Sequence, residues 1–509
     1  MSVALGLAMA AGTVLASAGP IEHSIVFVQE PRSAERLYPG VAAEGSRIAR
    51  LDPGGTVTIL TEGFASAADP TVAFDGQSIL FAGKERGDDP WNVWEMSASG
   101  MDLRRCTDEL GDCREPIYLP RAAVDSPNFE ARVRWIEFVS TAPAVMNDLG
   151  DERLRSLYAA NLDPVPERGD VLWRTTYNLG GDGSPSLLSD GRVLYSARQR
   201  GALGLMTISW AGENLNPFYG SHDAFVSQHS AAELPGRLVA FIESIGPRAD
   251  GGGDLAMLSL RRPLHSRELV ARGLYRTPHP FDDERMLVSV RPEEGGSYGI
   301  GLFDPESREV VRELFDDPEW NDVDAMLLAP REPPPARIPT VEFASVLDVG
   351  SLRSVGQLQC LNVYESDRAR APAQGSVARV RLVEGVPRDL EEGVVAASGG
   401  ADPDTTWPPP AVETRPLGEA PVEEDGSFYL NVAGDRPFYL ELLDARGKAV
   451  KTMRAWSWVR SGDQRGCIGC HEDKELAPEN RATQALIRAQ PAMPPADRYG
   501  ASVLPGEER

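Results

Sequence analysis

"ADPTVAFDGQSILFAG" (residues 68–83) and "GSPSLLSDGRVLYSAR" (residues 183–198) are built to one plan. Each sets Asp69 or Ser184 before a proline and runs into a short apolar strand. Each then turns at Asp75-Gly76 or Asp190-Gly191 and returns as a second apolar strand. Asp-Gly between two such runs signals a hairpin, because glycine accepts the positive φ that the turn needs. Weaker copies start at Glu115 ("REPIYLP"), Asp223 ("SHDAFVSQ"), Thr277 ("YRTPHPFDDERMLVSV") and Asp324 ("VDAMLLAPRE"). The starts are separated by 46, 69, 39, 54 and 47 residues, close to the period of a four-stranded propeller blade with one insertion.

Six starts predict a six-bladed β-propeller over residues 22–330. The last repeat lacks a strand of its own, while "HSIVFVQ" (23–29) is an orphan strand at the other end. Pairing the two would close the ring and hide its edges. "APREPPPARIP" follows, so residues 331–339 read as a proline-rich linker that cannot continue a sheet. Residues 340–460 alternate apolar and polar positions between Gly and Asp turns and predict a second, sandwich-like β domain. Within it "GGADPDTTWPPPAVETRPLG" (399–418) has no periodicity and reads as an exposed loop. Residues 461–492 read as a short helical segment, with one helix near Arg481 to Gln490, and 493–509 as a tail. The fold class is therefore all-β.

The chain has 509 residues and a formal net charge of −25, so phosphate would be repelled and nucleic acid is excluded as a partner, while a basic protein is favoured. Residues 1–18 are apolar and end in small residues, the core and cleavage site of an export signal, although a positive start is missing. No later run reaches a membrane-spanning length, so a periplasmic or otherwise extracytoplasmic chain without a membrane span is expected. In such a compartment Cys106 and Cys113, in "RRCTDELGDCRE", are a candidate disulfide. Cys360, in "GQLQCLNVYES", lies in a strand-like alternation and reads as a buried apolar residue.

The two remaining cysteines carry chemistry. "RSGDQRGCIGCHEDKE" (460–475) contains Cys467-Ile468-Gly469-Cys470-His471. A thioredoxin-type dithiol would need a strand running into a helix, and the flanks here are a β domain and a short polar helix. A structural zinc site needs four ligands, and the other cysteines lie more than a hundred residues earlier. A covalently attached haem needs two thiols at this spacing and an adjacent imidazole for the iron, which is C-x-x-C-H as it stands. One haem c held by Cys467 and Cys470, with His471 as proximal iron ligand, is the expectation. For the sixth position the alternatives stay open: Met493 in "PAMPP", one of His23, His222, His229, His265 and His279, or an open iron. Trp456 and Trp458 either wall the porphyrin or pack a core. Ser221-His222-Asp223 is no triad, since neighbours on a strand point to opposite faces.

"GDCREPIYLP", "GSPSLLSDGRVLYSARQR" and "PVEEDGSFYLNVAGDRPFYLELLDARGKAVKTMRAWSWVRSGDQRGCIGCHE" resemble the hydrazine synthase alpha subunit family, over roughly residues 22–490. The resemblance implies a six-bladed propeller followed by a c-type haem domain outside the cytoplasm, with thioethers at Cys467 and Cys470 and the proximal bond at His471. The family's further N-terminal domain bears its own C-x-x-C-H, the proposed hydrazine-forming site, whereas this chain has the motif once. Its haem thus resembles the family's electron-transfer haem, although no histidine follows His471 to act as that haem's distal ligand. The expected function is electron transfer with a redox partner or within the subunits of a complex. The alternatives are an open-iron enzyme acting on a small nitrogen or oxygen species, and a binding propeller stapled by haem.

Overall fold

The computed structural model describes residues 21–32, 44–120, 133–163, 171–199, 202–220, 226–245, 251–292, 295–337, 355–366, 371–390, 412–470, 473, 475–476, 482–488 and 491–492. The apolar runs form antiparallel sheets in chain order. Ser66–Val72, Ser78–Lys84, Asn92–Ser97 and Arg104–Arg105 make one. Cys113–Leu119, Trp135–Ser140, Ser156–Asn161 and Leu172–Arg174 make the next, and Asp182–Leu187, Val193–Gln199, Ala202–Ile208 and Asn216–Tyr219 a third. A seven-stranded sheet runs from Val226–Leu234 to Glu309–Phe315. It divides at the long strand Glu268–Pro280, whose first half pairs with Gly253–Ser259 and whose second half pairs with Met286–Val290. The ring closes as the orphan strand foretold. Ile25–Pro31 lies between Trp320–Leu327 and Arg47–Leu51, with Ile25 opposite Leu327.

Neighbouring sheets pack face to face, which is why their strands read as apolar runs. Leu80, Val93, Tyr118 and Phe138 share one cluster, Leu194, Leu205, Val239 and Phe241 another, and Phe27, Ala49, Leu287 and Leu302 a third. The arrangement is that of a propeller.

The repeat starts have a structural meaning that the hairpin pattern did not supply. Asp69, Glu115, Ser184, Ser230, Thr277 and Asp324 all take positive φ, between 40° and 55°, although none is glycine. At each of the six the pairing register slips, so each marks a β-bulge. Together they ring a central cavity of about 190 Å³. Their side chains link one sheet to the next. The amide of Glu115 donates to Asp69 Oδ2 at 3.0 Å, that of Ser184 to Glu115 Oε2 at 2.7 Å, and that of Asp324 to Thr277 Oγ1 at 3.2 Å. An acceptor side chain is thus required where a bulge frees an amide on the neighbouring sheet. The repeat start placed at Asp223 is corrected to Ser230; Asp223 itself lies outside the described residues. With that correction the last three intervals become 46, 47 and 47 residues.

Residues 331–337 form no strand, and they lie along the propeller. The Arg331 amide donates to the Phe74 carbonyl at 2.8 Å and Trp210 Nε1 to the Arg337 carbonyl at 2.8 Å. Beyond them two sheets face each other. Phe428–Ala433, Val355–Asn362 and Gln464–Gly469 form one, and Glu413–Pro421, Arg379–Val386, Phe438–Leu443 and Ala449–Thr452 the other. Leu358, Phe428, Leu430, Val380, Leu382 and Leu442 fill the space between them.

Three expectations are corrected here. The sandwich does not end at 460, because Gln464–Gly469 is one of its strands. The C-x-x-C segment is accordingly strand rather than helix, and the helix downstream is a single turn, Gln484–Ile487. The predicted loop 399–418 ends in a strand, Glu413–Pro421, with Pro416 at a bulge on the sheet edge, where a missing N–H costs no pairing. The signal segment 1–18 and the tail 493–509 lie outside the described residues. Among the described residues no helix is long and apolar enough to cross a membrane.

Candidate cofactor site

Gln464–Gly469 runs parallel to Val355–Asn362, with Cys467 the registered partner of Cys360 and Gly469 of Asn362. After Gly469 the chain bends, and the Cys470 amide donates to the Glu365 carbonyl at 2.9 Å. A Cβ at Gly469 would lie 2.3 Å from that same oxygen, so only glycine admits this approach. The bend decides the geometry of the thiols. Residues three apart on a straight strand face opposite sides, yet Cys467 and Cys470 both pack, half-buried, against the cluster of Leu358, Cys360 and Val363. His471 and Met493 lie outside the described residues.

Two sets of contacts fix this strand against the propeller, one on each side of the thiols. Before it, "WSWVR" (456–460) is a pin. Trp456 Nε1 donates to Asp148 Oδ2 at 2.8 Å, and its amide to Gln199 Oε1 at 3.0 Å. Trp458 enters a cluster with Trp135, Trp173 and Trp210 of the propeller. Arg460, buried, donates to the Arg174 carbonyl at 2.6 Å and to the Tyr177 hydroxyl at 3.2 Å. Both tryptophans therefore pack the join between the domains. After the thiols, Asp473 and Glu475 meet a propeller loop. His265 Nε2 lies 2.6 Å from Asp473 Oδ2, while Arg262 Nε and the Leu264 amide donate to Glu475 at 3.1 and 2.6 Å. The Glu475 amide, and then His265, hold the Asp473 carboxyl below its usual range.

Of the candidate histidines, His265 is thus carried to the residues just beyond the motif. His229 is buried on the strand Val226–Leu234. His279 lines the central cavity, where burial, and then Arg331, pulls its pKa down to about 3. His23 is exposed near the start of the described chain, and His222 lies outside it. No disulfide joins Cys106 to Cys113 in the structure, nor any other pair of the five cysteines. The Cys106 and Cys113 thiols face backbone carbonyls of Arg104 and Leu110 at 3.6 and 3.7 Å, and burial pushes both up to about 12. Cys360 is buried as expected; its place beside Cys467 is a tertiary fact, since more than a hundred residues separate the two in sequence. Among the described residues no group of three or more His, Cys, Asp or Glu has the arrangement of a metal site.

The fold and site define a class: a propeller with a β-sandwich pinned to it, bearing two half-buried thiols where the pinned strand ends. Comparison with known proteins agrees. Residues 375–472 match the family model of the hydrazine synthase alpha subunit middle domain. The hydrazine synthase subunit alpha of Kuenenia stuttgartiensis is 28% identical over 89% of this chain, and the chain spans 66% of that relative's length. The solved structure of Kuenenia stuttgartiensis hydrazine synthase superposes with a TM-score of 0.80 at 26% identity, covering 92% of this chain and 72% of that one. Over most of its length the chain is therefore similar to the hydrazine synthase alpha subunit.

Proposed function

We propose that the chain is an exported c-type cytochrome that carries one covalent haem on Cys467 and Cys470 and passes electrons within a larger complex. The observation that carries the reading is the bend after Gly469, which leaves both thiols of the C-x-x-C-H motif half-exposed on the surface of one buried apolar cluster. That surface suits a planar apolar group held at two points. Thioether attachment to two separate vinyl groups lets the sulfurs stay apart, as a strand keeps them. His471, next in sequence, would supply the axial nitrogen. A bound haem would contribute reversible one-electron chemistry at iron.

The rest of the chain would position that centre. Trp456, Trp458 and Arg460 anchor the strand on one side, and Asp473 and Glu475 on the other, so the thiols would be held at a set place relative to the propeller. A net charge of −25 favours a basic redox partner. The matched relative is by name a subunit, which supports membership of a complex here.

A second reading, an open iron acting on a small nitrogen or oxygen species, is favoured by the relative's being named as part of a synthase. An optical spectrum of the chain made with the haem-attachment machinery, oxidised, reduced and with carbon monoxide, separates the two. Six-coordinate iron unmoved by carbon monoxide supports the carrier. A high-spin spectrum that shifts supports the enzyme. Failure of the chain to retain haem under denaturing conditions overturns both.

A further inference from the structure

We infer that Cys360 and Cys467 form a disulfide in the haem-free chain, and that this bond withholds Cys467 from cofactor attachment until it is reduced. The second half rests on the haem reading above; the first does not. Cys360 and Cys467 are registered partners on adjacent parallel strands. Such partners lie on one face of the sheet with Cα atoms about 4.8 Å apart, inside the window of about 4.4–6.8 Å that a disulfide spans. Cys467 and Cys470 are separated along the strand instead. Three residues of strand rise about 10 Å, beyond the roughly 7 Å at which bridging requires backbone movement. The bend after Gly469 turns Cys470 toward the same cluster, but it comes only after Ile468 and Gly469, and Gly469 is still the registered partner of Asn362. The strand therefore offers Cys467 a closer thiol across the sheet than along the chain, in reverse of what the C-x-x-C spacing alone advertises.

The burial of the two thiols gives the order of events. Cys467 is half-exposed and Cys360 is buried. The thiolate of Cys467 attacks a disulfide-bonded protein oxidant of the export compartment, forming a mixed disulfide and expelling one oxidant thiolate. Cys360 then attacks the Cys467 sulfur, closes the bond and expels the second. Two electrons and two protons leave Cys360 and Cys467, and the oxidant departs as a dithiol. Registered parallel partners set their Cβ atoms at about the strand spacing, wider than the roughly 3.5–4.5 Å a relaxed bridge prefers, so the bond is strained and easily reduced. A dithiol reductant reverses both steps and returns Cys467 as a thiol able to react with a vinyl group. A merely apolar Cys360 would take no part in this.

The test is made on haem-free full chain, equilibrated with a mixture of oxidised and reduced glutathione, alkylated, digested and read by mass spectrometry. The expected product links the Cys360 and Cys467 peptides and leaves Cys470 alkylated. A Cys467–Cys470 loop, glutathione adducts alone, or three alkylated thiols would each overturn the bond. Cys470→Ser should still give the link; Cys360→Ala should abolish it. Cys360→Val serves if the alanine variant does not fold. For the gate, haem attachment is scored by covalent mass with and without reductant. Wild type should attach several-fold less haem without reductant, and Cys360→Ala should attach equally in both. If the link forms but the two proteins respond alike, the gating half is wrong. If neither attaches haem while the link forms, it is the haem reading that fails.

Discussion

The indole nitrogen of Trp456 donates to Oδ2 of Asp148 at 2.8 Å, and both residues are buried where the sandwich meets the propeller. The bond joins residues 308 positions apart and lies eleven residues before Cys467. Trp456→Phe keeps most of the packing and removes the donor. It should cost about 1–3 kcal/mol, the penalty for leaving a buried acceptor unmet. Trp456→Ala should cost about 3–5 kcal/mol. Urea titration measures both, and an unchanged midpoint for Trp456→Phe would show that the two domains are held elsewhere.

Asp69 tests the ring of bulges. It accepts from Arg114 Nε at 2.7 Å and from the Glu115 amide at 3.0 Å, and both charged side chains are nearly buried. Asp69→Ala would leave the guanidinium unpaired against Trp91, at about 3–5 kcal/mol. The loss should appear in the unfolding of the propeller as a whole, because the contact joins two consecutive sheets.

Glu137 sets a pH dependence. It is fully buried, and although Thr175 Oγ1 donates to it at 2.9 Å, burial pushes its pKa up to about 8. Unfolded, it would titrate near 4.3. Between those values the folded chain binds the extra proton, so the stability held below about pH 4.3 is lost as pH rises through about 8. Asp182, raised to about 7 by burial, acts in the same direction. Glu137→Gln should therefore flatten the fall in melting temperature between pH 5 and pH 8. A parallel slope in the variant would mean that Glu137 is not among the groups responsible.

Gly469→Ala tests the bend. A methyl group 2.3 Å from the Glu365 carbonyl must displace one strand or the other and with it Cys470. Covalent haem, measured by mass, should fall by several-fold relative to wild type. Gly466→Ala, whose Cβ meets only a flexible glutamine amide at 3.4 Å, should attach normally.

The clasp beyond the thiols pairs Glu475 and Asp473 with the exposed side chains of Arg262 and His265, so its effect belongs to local motion more than to global stability. Glu475→Ala frees the Leu264 amide, which now donates to Glu475 at 2.6 Å. Hydrogen exchange at Leu264 should accelerate while the melting temperature stays put, since surface ion pairs contribute little to global unfolding.

The chain by itself determined its strands, its repeat and its motif, because each depends on neighbours in sequence. Asp75-Gly76 and Asp190-Gly191 specify turns locally, apolar runs specify strands buried on both faces, and Cys467, Cys470 and His471 sit within five residues. The start misplaced at Asp223 shows the limit. Ser230 precedes alanine, without the proline or an Asp-Gly turn to mark it, and only its bulge against the neighbouring strand identifies it. Tertiary structure alone decided the rest. That the motif ends a strand, that Cys360 lies beside Cys467, that Trp456 reaches Asp148 and that His265 reaches Asp473 all follow from which strands pair and which faces pack. Those choices minimise exposed apolar area and unpaired backbone over the whole chain, a sum to which residues hundreds of positions apart contribute together and which no short stretch records.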